Sequence, residues 1–302
     1  MLPRLTLAVC AATLLLGGCA EEIPPPDADQ PPPAAVEAVV AAGVPEPAVL
    51  ALPYVPADAA RLEVTDFARV AVQLGVEDPT SQDPAADRAA FERRTTAETA
   101  ALTDGTLLPV DDQLVRRFGF GQADVSWEAH VFDEDGTETG FVLGIDRVVD
   151  PEALTRAVEA GVGPLAGASV VAEDSVIVQG LDASGGSYAD DPAVVALVGA
   201  PAISTYLARG CLDPEGADVS GLDDLQVWAM SFQGGLATAT LGPDRADLFD
   251  RLEVAEASTS FARSFTDGVA DPSTGRIGFR LSDPPAAADL VASGDVPVAS
   301  CD

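Results

Sequence analysis

Two stretches of the chain alternate apolar and polar residues with the period of a strand. In the first, Val125, Trp127, Ala129 and Val131 fall on one face, and Ser126, Glu128 and His130 on the other. Asp133-Glu134-Asp135-Gly136 supplies turn chemistry, and Phe141, Leu143 and Ile145 resume the alternation, so the pattern predicts a β-hairpin with Trp127 against a core. The second runs from Val227 to Phe232 with Trp228, Met230 and Phe232 on one face, turns at Gly234-Gly235, and returns over Leu236 to Leu241. Helical spacing marks Phe67, Val70 and Leu74, with a stop at Gly75, and a second helix from Pro84, capped by Asp83 and ending before Gly105. A third opens at Asp150-Pro151 and carries Leu154 and Val158, and a fourth carries Leu248, Leu252 and Ala255. Val170-Val171 and Ser175 to Val178 read as strands after the third helix, and Arg276 to Leu281 as one after the fourth.

The two hairpins end alike, in Leu143-Gly144-Ile145-Asp146-Arg147 and Leu241-Gly242-Pro243-Asp244-Arg245. Their approaches also echo: Pro47-Ala48-Val49-Leu50-Ala51-Leu52 against Pro192-Ala193-Val194-Val195-Ala196-Leu197. The shared order of helix, Trp hairpin, Leu-Gly-x-Asp-Arg, helix and strand predicts a diverged tandem duplication. The expected fold is α+β, with two related subdomains, each an antiparallel β-sheet covered by helices. The first spans 47–182, with a helical insertion at about 76–110, and the second spans 183–302. In the recurring motif, leucine would end the strand in the core, glycine would permit a turn, and aspartate would cap the next helix. Arg147 and Arg245 then either pair with neighbouring carboxylates or form a ligand clamp.

Met1 to Gly18 has one early cation, Arg4, and an apolar core from Leu5 to about Leu16. That core is shorter than the roughly 20 residues of a spanning helix, so residues 1–18 read as a secretory signal. Leu16-Gly17-Gly18-Cys19 resembles the bacterial lipobox. The resemblance implies thioether lipidation of Cys19, cleavage after Gly18 and acylation of the new amino terminus. Residues 19–46, with Pro24-Pro25-Pro26 and Pro31-Pro32-Pro33, read as an extended tether. With abundant Ala, Asp, Val, Gly and Pro and no lysine, the chain resembles secreted lipoproteins of high-GC Gram-positive, actinobacterial type. That resemblance implies a lipid-anchored place on the extracytoplasmic face of the cell membrane. It implies no activity; the lipid makes the bilayer one expected partner, and the duplication, tether and thin catalytic inventory favour an envelope protein or small ligand as another.

Charge narrows the partners. Against 49 acidic residues stand 16 basic ones, all arginine, for a net charge of -33, so the basic footprint that nucleic acid requires is missing. Cys10 leaves with the signal, and Cys211 and Cys301 remain as the expected disulfide of an extracytoplasmic protein. The chemical inventory leans away from an enzyme. His130 is the lone histidine, expected on the strand face opposite Trp127, with ligand contact or a general base as its sharper alternative. The absence of lysine excludes Schiff-base and Ser-Lys chemistry, and no Gly-x-Ser-x-Gly elbow occurs. No cofactor or metal is expected: Asp133, Asp135 and Glu138 have the spacing of calcium ligands but read better as a hairpin turn. Arg93-Arg94 and Arg116-Arg117 read as ion-pair partners of nearby acids. Two functions stay open: a non-catalytic ligand- or protein-binding lipoprotein, and a carboxylate-dependent hydrolase of envelope glycan. The second needs an Asp/Glu pair about 5–9 Å apart in a cleft.

Overall fold

The computed structural model describes residues 45–212 and 219–302. The signal, Cys19 and all of the tether except Pro45 and Glu46 lie outside the described residues. The first half contributes α1 (Pro47–Ala51), β1 (Arg61–Asp66), α2 (Phe67–Leu74), α3 (Ala85–Glu98) and α4 (Asp111–Phe118). It continues with β2 (Val125–Phe132), β3 (Glu138–Ile145), α5 (Pro151–Glu159), β4 (Ser169–Val171) and β5 (Val176–Gln179). The second half contributes α6 (Pro192–Val195), β6 (Ser204–Arg209), β7 (Val227–Gln233), β8 (Leu236–Thr240) and α7 (Leu248–Ala257). It ends with α8 (Phe261–Ser264), β9 (Phe265–Asp271), β10 (Arg276–Leu281) and α9 (Pro284–Ala292). No helix among the described residues is long and apolar enough to cross a membrane.

The class is α+β, as expected, but the two sheets anticipated for separate subdomains are one. Ten strands among the described residues form a single antiparallel sheet in the order β4-β5-β3-β2-β1-β6-β7-β8-β10-β9. The joint is β1 against β6, with Leu62 opposite Leu207. Each three-strand meander would otherwise end in a row of unpaired N–H and C=O groups, and the other half's edge satisfies them. Read outward from the joint, both sides show a meander followed by a hairpin whose second strand is innermost. A short helix precedes each meander (α1, α6), and a longer one links it to its hairpin (α5, α7).

Both faces of the sheet are covered near its centre. On one, Leu62, Val64, Trp127, Ala129 and Val131 pack with Ala48 and Ala51 of α1 and Val194 of α6. On the other, α5 lays Ala153, Leu154 and Ala157 over Phe141, Leu143 and Ile177. Helices α2, α7, α8 and α9 cover Trp228, Met230 and Phe232 on that same face. The strand registers put Trp127 on the first face and Trp228 on the second. The two tryptophans are therefore not equivalent, because a one-residue offset in a strand exchanges faces.

Local signals explain most helix limits. Asp66 accepts the Arg69 N–H at 2.8 Å to open α2, and Gly75 closes it at φ 66°. Asp150 accepts the Glu152 N–H at 3.0 Å to open α5. The aspartates of Leu-Gly-x-Asp-Arg do not cap: α5 starts after Asp150 and α7 after Asp247. Gly144 lies inside β3, where an added Cβ would sit 1.9 Å from Trp127 Nε1, so the indole and not a turn requires glycine there. Cys211 and Cys301 form the expected disulfide, with Cα atoms 5.7 Å apart and a sequence separation of 90.

Candidate functional site

On the face of β2 away from Trp127, Glu128 is fully buried. Its Oε1 accepts the Gly105 N–H at 3.0 Å and its Oε2 the Thr106 N–H at 2.9 Å. His130 stands beside it, with Nε2 3.4 Å from Glu128 Oε1 and 3.0 Å from Thr106 Oγ1, and Nδ1 3.2 Å from Glu138 Oε1. Opposite His130 in β1, Glu63 pairs with Arg61 at 3.2 Å. Arg61 lies over the Phe132 ring and donates to the Ala292 carbonyl of α9 at 3.1 Å.

Burial alone opposes charge on His130, yet hydrogen bonds and attraction from Glu128 and Glu138 lift its pKa to about 10. Burial also pushes Glu128 upward, but His130 and the Thr106 N–H outweigh it and hold the carboxylate below its usual range. Glu63 shows burial winning: it rises to about 7 despite Arg61 and His130. The cluster fastens residues 99–107 across the sheet, with the Leu102 and Thr103 N–H groups also donating to Thr65 Oγ1 at 3.1 Å each. This is why α3 ends at Glu98 instead of running to Gly105: the backbone donors beyond it are taken by the sheet. A histidine that keeps its proton at neutral pH cannot serve as a general base there.

Arg147 and Arg245, the proposed clamp, are not brought together. They follow β3 and β8, which lie five positions apart in the sheet and run in opposite directions. The separation across the strands is about 24 Å. Arg147 is exposed, and Arg245 is spent on Asp247, at 2.9 and 2.8 Å, and on the Asp223 and Asp224 carbonyls. Asp247 also receives Arg251 at 2.7 Å, and the fully buried Arg251 donates to the Val298 and Ser300 carbonyls at 2.8 and 2.7 Å. Burial raises Asp247, but the two guanidiniums outweigh it and bring the pKa to about 2. His130 shares no contact with either clamp arginine. The acids of the first hairpin also diverge: Asp133 Oδ1 accepts the Asp135 and Thr137 N–H groups, while Glu138 turns to His130. Among the described residues the grouping of metal-ligand type is Cys211, Asp224 and Cys301, whose sulfurs are committed to the disulfide.

A different region holds open space. Residues 67–124, between β1 and β2, have no counterpart of similar length between β6 and β7. They enclose a chamber of about 50 Å³ walled by Phe67, Phe91, Leu108, Thr95 and Gln122. An outer groove of about 290 Å³ beside α3 and α4 shares Arg88, Glu92 and Leu108 with it and adds Asp111 and Asp112. Gln122 Oε1 accepts the Leu107 N–H at 2.8 Å, which fixes the amide, and its Nε2 has no protein partner. Thr95 Oγ1 and Arg88 Nε are likewise unpartnered, although Arg88 donates through Nη1 to the Asp83 carbonyl and through Nη2 to Asp111. The sequence offered no sign of this site, since Thr95 and Gln122 sit in stretches of mixed polarity.

No protein-family model matches this chain, and no curated protein matches it. A solved structure described as "Structure of crystal form III of TP0453" is similar over 84% of this chain and 99% of that one. The identity is 8% and the TM-score 0.35, too distant a likeness to bear on function.

Proposed function

We propose that the chain is a membrane-anchored extracytoplasmic lipoprotein with a non-catalytic ligand- or protein-binding role in the cell envelope. The observation that carries this reading is the state of its catalytic candidates. The lone histidine and the carboxylates around it are bound to backbone donors and to one another, in a cluster that secures a loop. The lipobox resemblance at Cys19 supports the anchor, with the bilayer as partner through the N-terminal lipid. Repeated strand order, with α1 and α6 on the same face, supports a diverged duplication whose first copy carries a helical insertion at about 76–110.

Fractionation tests the anchor. Wild type should sediment with membranes and Cys19→Ala should move to the soluble fraction; retention of the variant in the membrane would refute lipid anchoring. The hydrolase alternative draws on one observation: Glu63 is raised to about 7 beside a lowered Glu128, the divergence expected of an acid and a base. Against it, both Glu128 oxygens already accept backbone N–H groups. Glycan turnover that disappears in Glu63→Gln would establish the hydrolase and overturn the binding reading.

A further inference from the structure

We infer that the chamber and groove built by residues 67–124 form a binding site for a small ligand bearing an uncharged acylamide group, of the acetamido kind. This rests on the non-catalytic binding role proposed above and gives it a place and a chemistry.

Buried polar atoms in folded proteins nearly always have partners, and each exception calls for an explanation. Here Thr95 and Gln122, at 5% and 7% exposure, both line the chamber, and each carries a side-chain atom with no protein partner. Arg88 Nε adds a third such atom on the wall shared with the groove. Gln122 Nε2 and Arg88 Nε can only donate, and the Thr95 hydroxyl can donate. The group they suit is therefore an oxygen acceptor. Phe67, Phe91 and Leu108 supply an apolar wall beside these donors. A water needs about 10–15 Å³ of such space, so 50 Å³ admits a group of about three or four heavy atoms. An acetyl group, a carbonyl oxygen with its carbon and one methyl, has that size and that division into acceptor and apolar parts. The remainder of the molecule would lie in the outer groove.

Charge at the mouth removes the anionic alternative. Glu92, Asp104, Asp111 and Asp112 line the two spaces against Arg88, which is already paired with Asp111. A carboxylate entering this mouth would meet net repulsion, whereas a neutral amide would not.

The acyl group could belong to an N-acetylated sugar or to an acylated peptide, and the probes separate these sources. The full chain in detergent would be titrated by saturation-transfer NMR with N-acetylglucosamine, N-acetyl-L-alaninamide and, as the anionic control, acetate. At least one acylamide should bind, at least tenfold more tightly than acetate; the tighter of the two names the source. Thr95→Val is nearly isosteric, and Gln122→Glu keeps the acceptor for Leu107 while removing the donor. Each should weaken binding about tenfold, the worth of one lost hydrogen bond of about 1.4 kcal/mol, with unchanged thermal melting confirming the fold. Failure of both acylamides to bind, equal binding of acetate, or unaltered affinity in both folded variants would overturn the site. Release of acetate from a bound probe would keep the site but overturn the non-catalytic reading, which the Cys19→Ala fractionation does not address.

Discussion

Glu128 shows how much one side chain can hold in this molecule. Its removal strands the Gly105 and Thr106 N–H groups and leaves His130 with Glu138 as its remaining carboxylate partner. Breaking a buried pair from one side typically costs about 3–5 kcal/mol, so Glu128→Leu should lose stability on that scale in urea unfolding. A loss below about 1 kcal/mol would contradict the role assigned to the cluster. The same residues give a pH dependence of definite sign. His130 has its pKa raised from 6.5 to about 10, so its stabilisation is complete below pH 6.5 and disappears as pH rises toward 10. Glu63, raised from 4.5 to about 7, acts in the same direction over that lower window. Glu128, being lowered, contributes above pH 4.5 and loses its contribution as pH falls. The difference in melting temperature between wild type and His130→Gln should therefore shrink between pH 6.5 and 10; a growing difference would reverse the assignment. Alternation along β2 was enough to put His130 opposite Trp127. It could not reveal that Glu128 is buried, because a polar strand face reads as solvent-facing until a distant loop is known to cover it.

At the scale of elements, legibility followed the strength of the local signal. Helix α2 was readable to within a residue because Asp66 and Gly75 mark its ends, and both hairpins were readable from alternation and turns. Strands β1 and β6 were not. Glu63, Thr65 and Asp66 break the apolar pattern of β1, although every residue after Arg61 in it is buried. Helix α4 also escaped, having eight residues and Leu114 as its one buried side chain. The recurring glycine reads in sequence as a turn residue, yet the Trp127 indole is what Gly144 accommodates. Gly144→Ala should therefore cost about 1–3 kcal/mol or more by overpacking, whereas Gly242→Ala meets no neighbour and suffers through its φ of 98° alone. Denaturant midpoints of the pair would separate the two causes. The disulfide closes a long loop, and the chain-entropy relation gives it about 4–5 kcal/mol. Cys301→Ser should lower the unfolding free energy by that order, and reducing agent should do the same to wild type without affecting the variant.

For the molecule as a whole, the class and the repeated order of elements could be read from sequence, while the single sheet could not. The joint is made by the two strands with the weakest patterns, and a meander does not announce what its edge will meet. Net charge sets another global property: at -33 the folded chain repels itself. Its melting temperature should rise as sodium chloride is increased from about 10 to 300 mM, where the Debye length falls from about 30 Å to below 8 Å; a fall would mean that favourable pairs dominate instead. The joint also has a history written into it. Leu62 waits for Leu207, and every strand of the first half precedes the edge that completes it. At about 5–20 residues made per second, the delay is of the order of 7–30 s. Throughout that interval the β1 edge of one nascent chain is a template for the β1 edge of another.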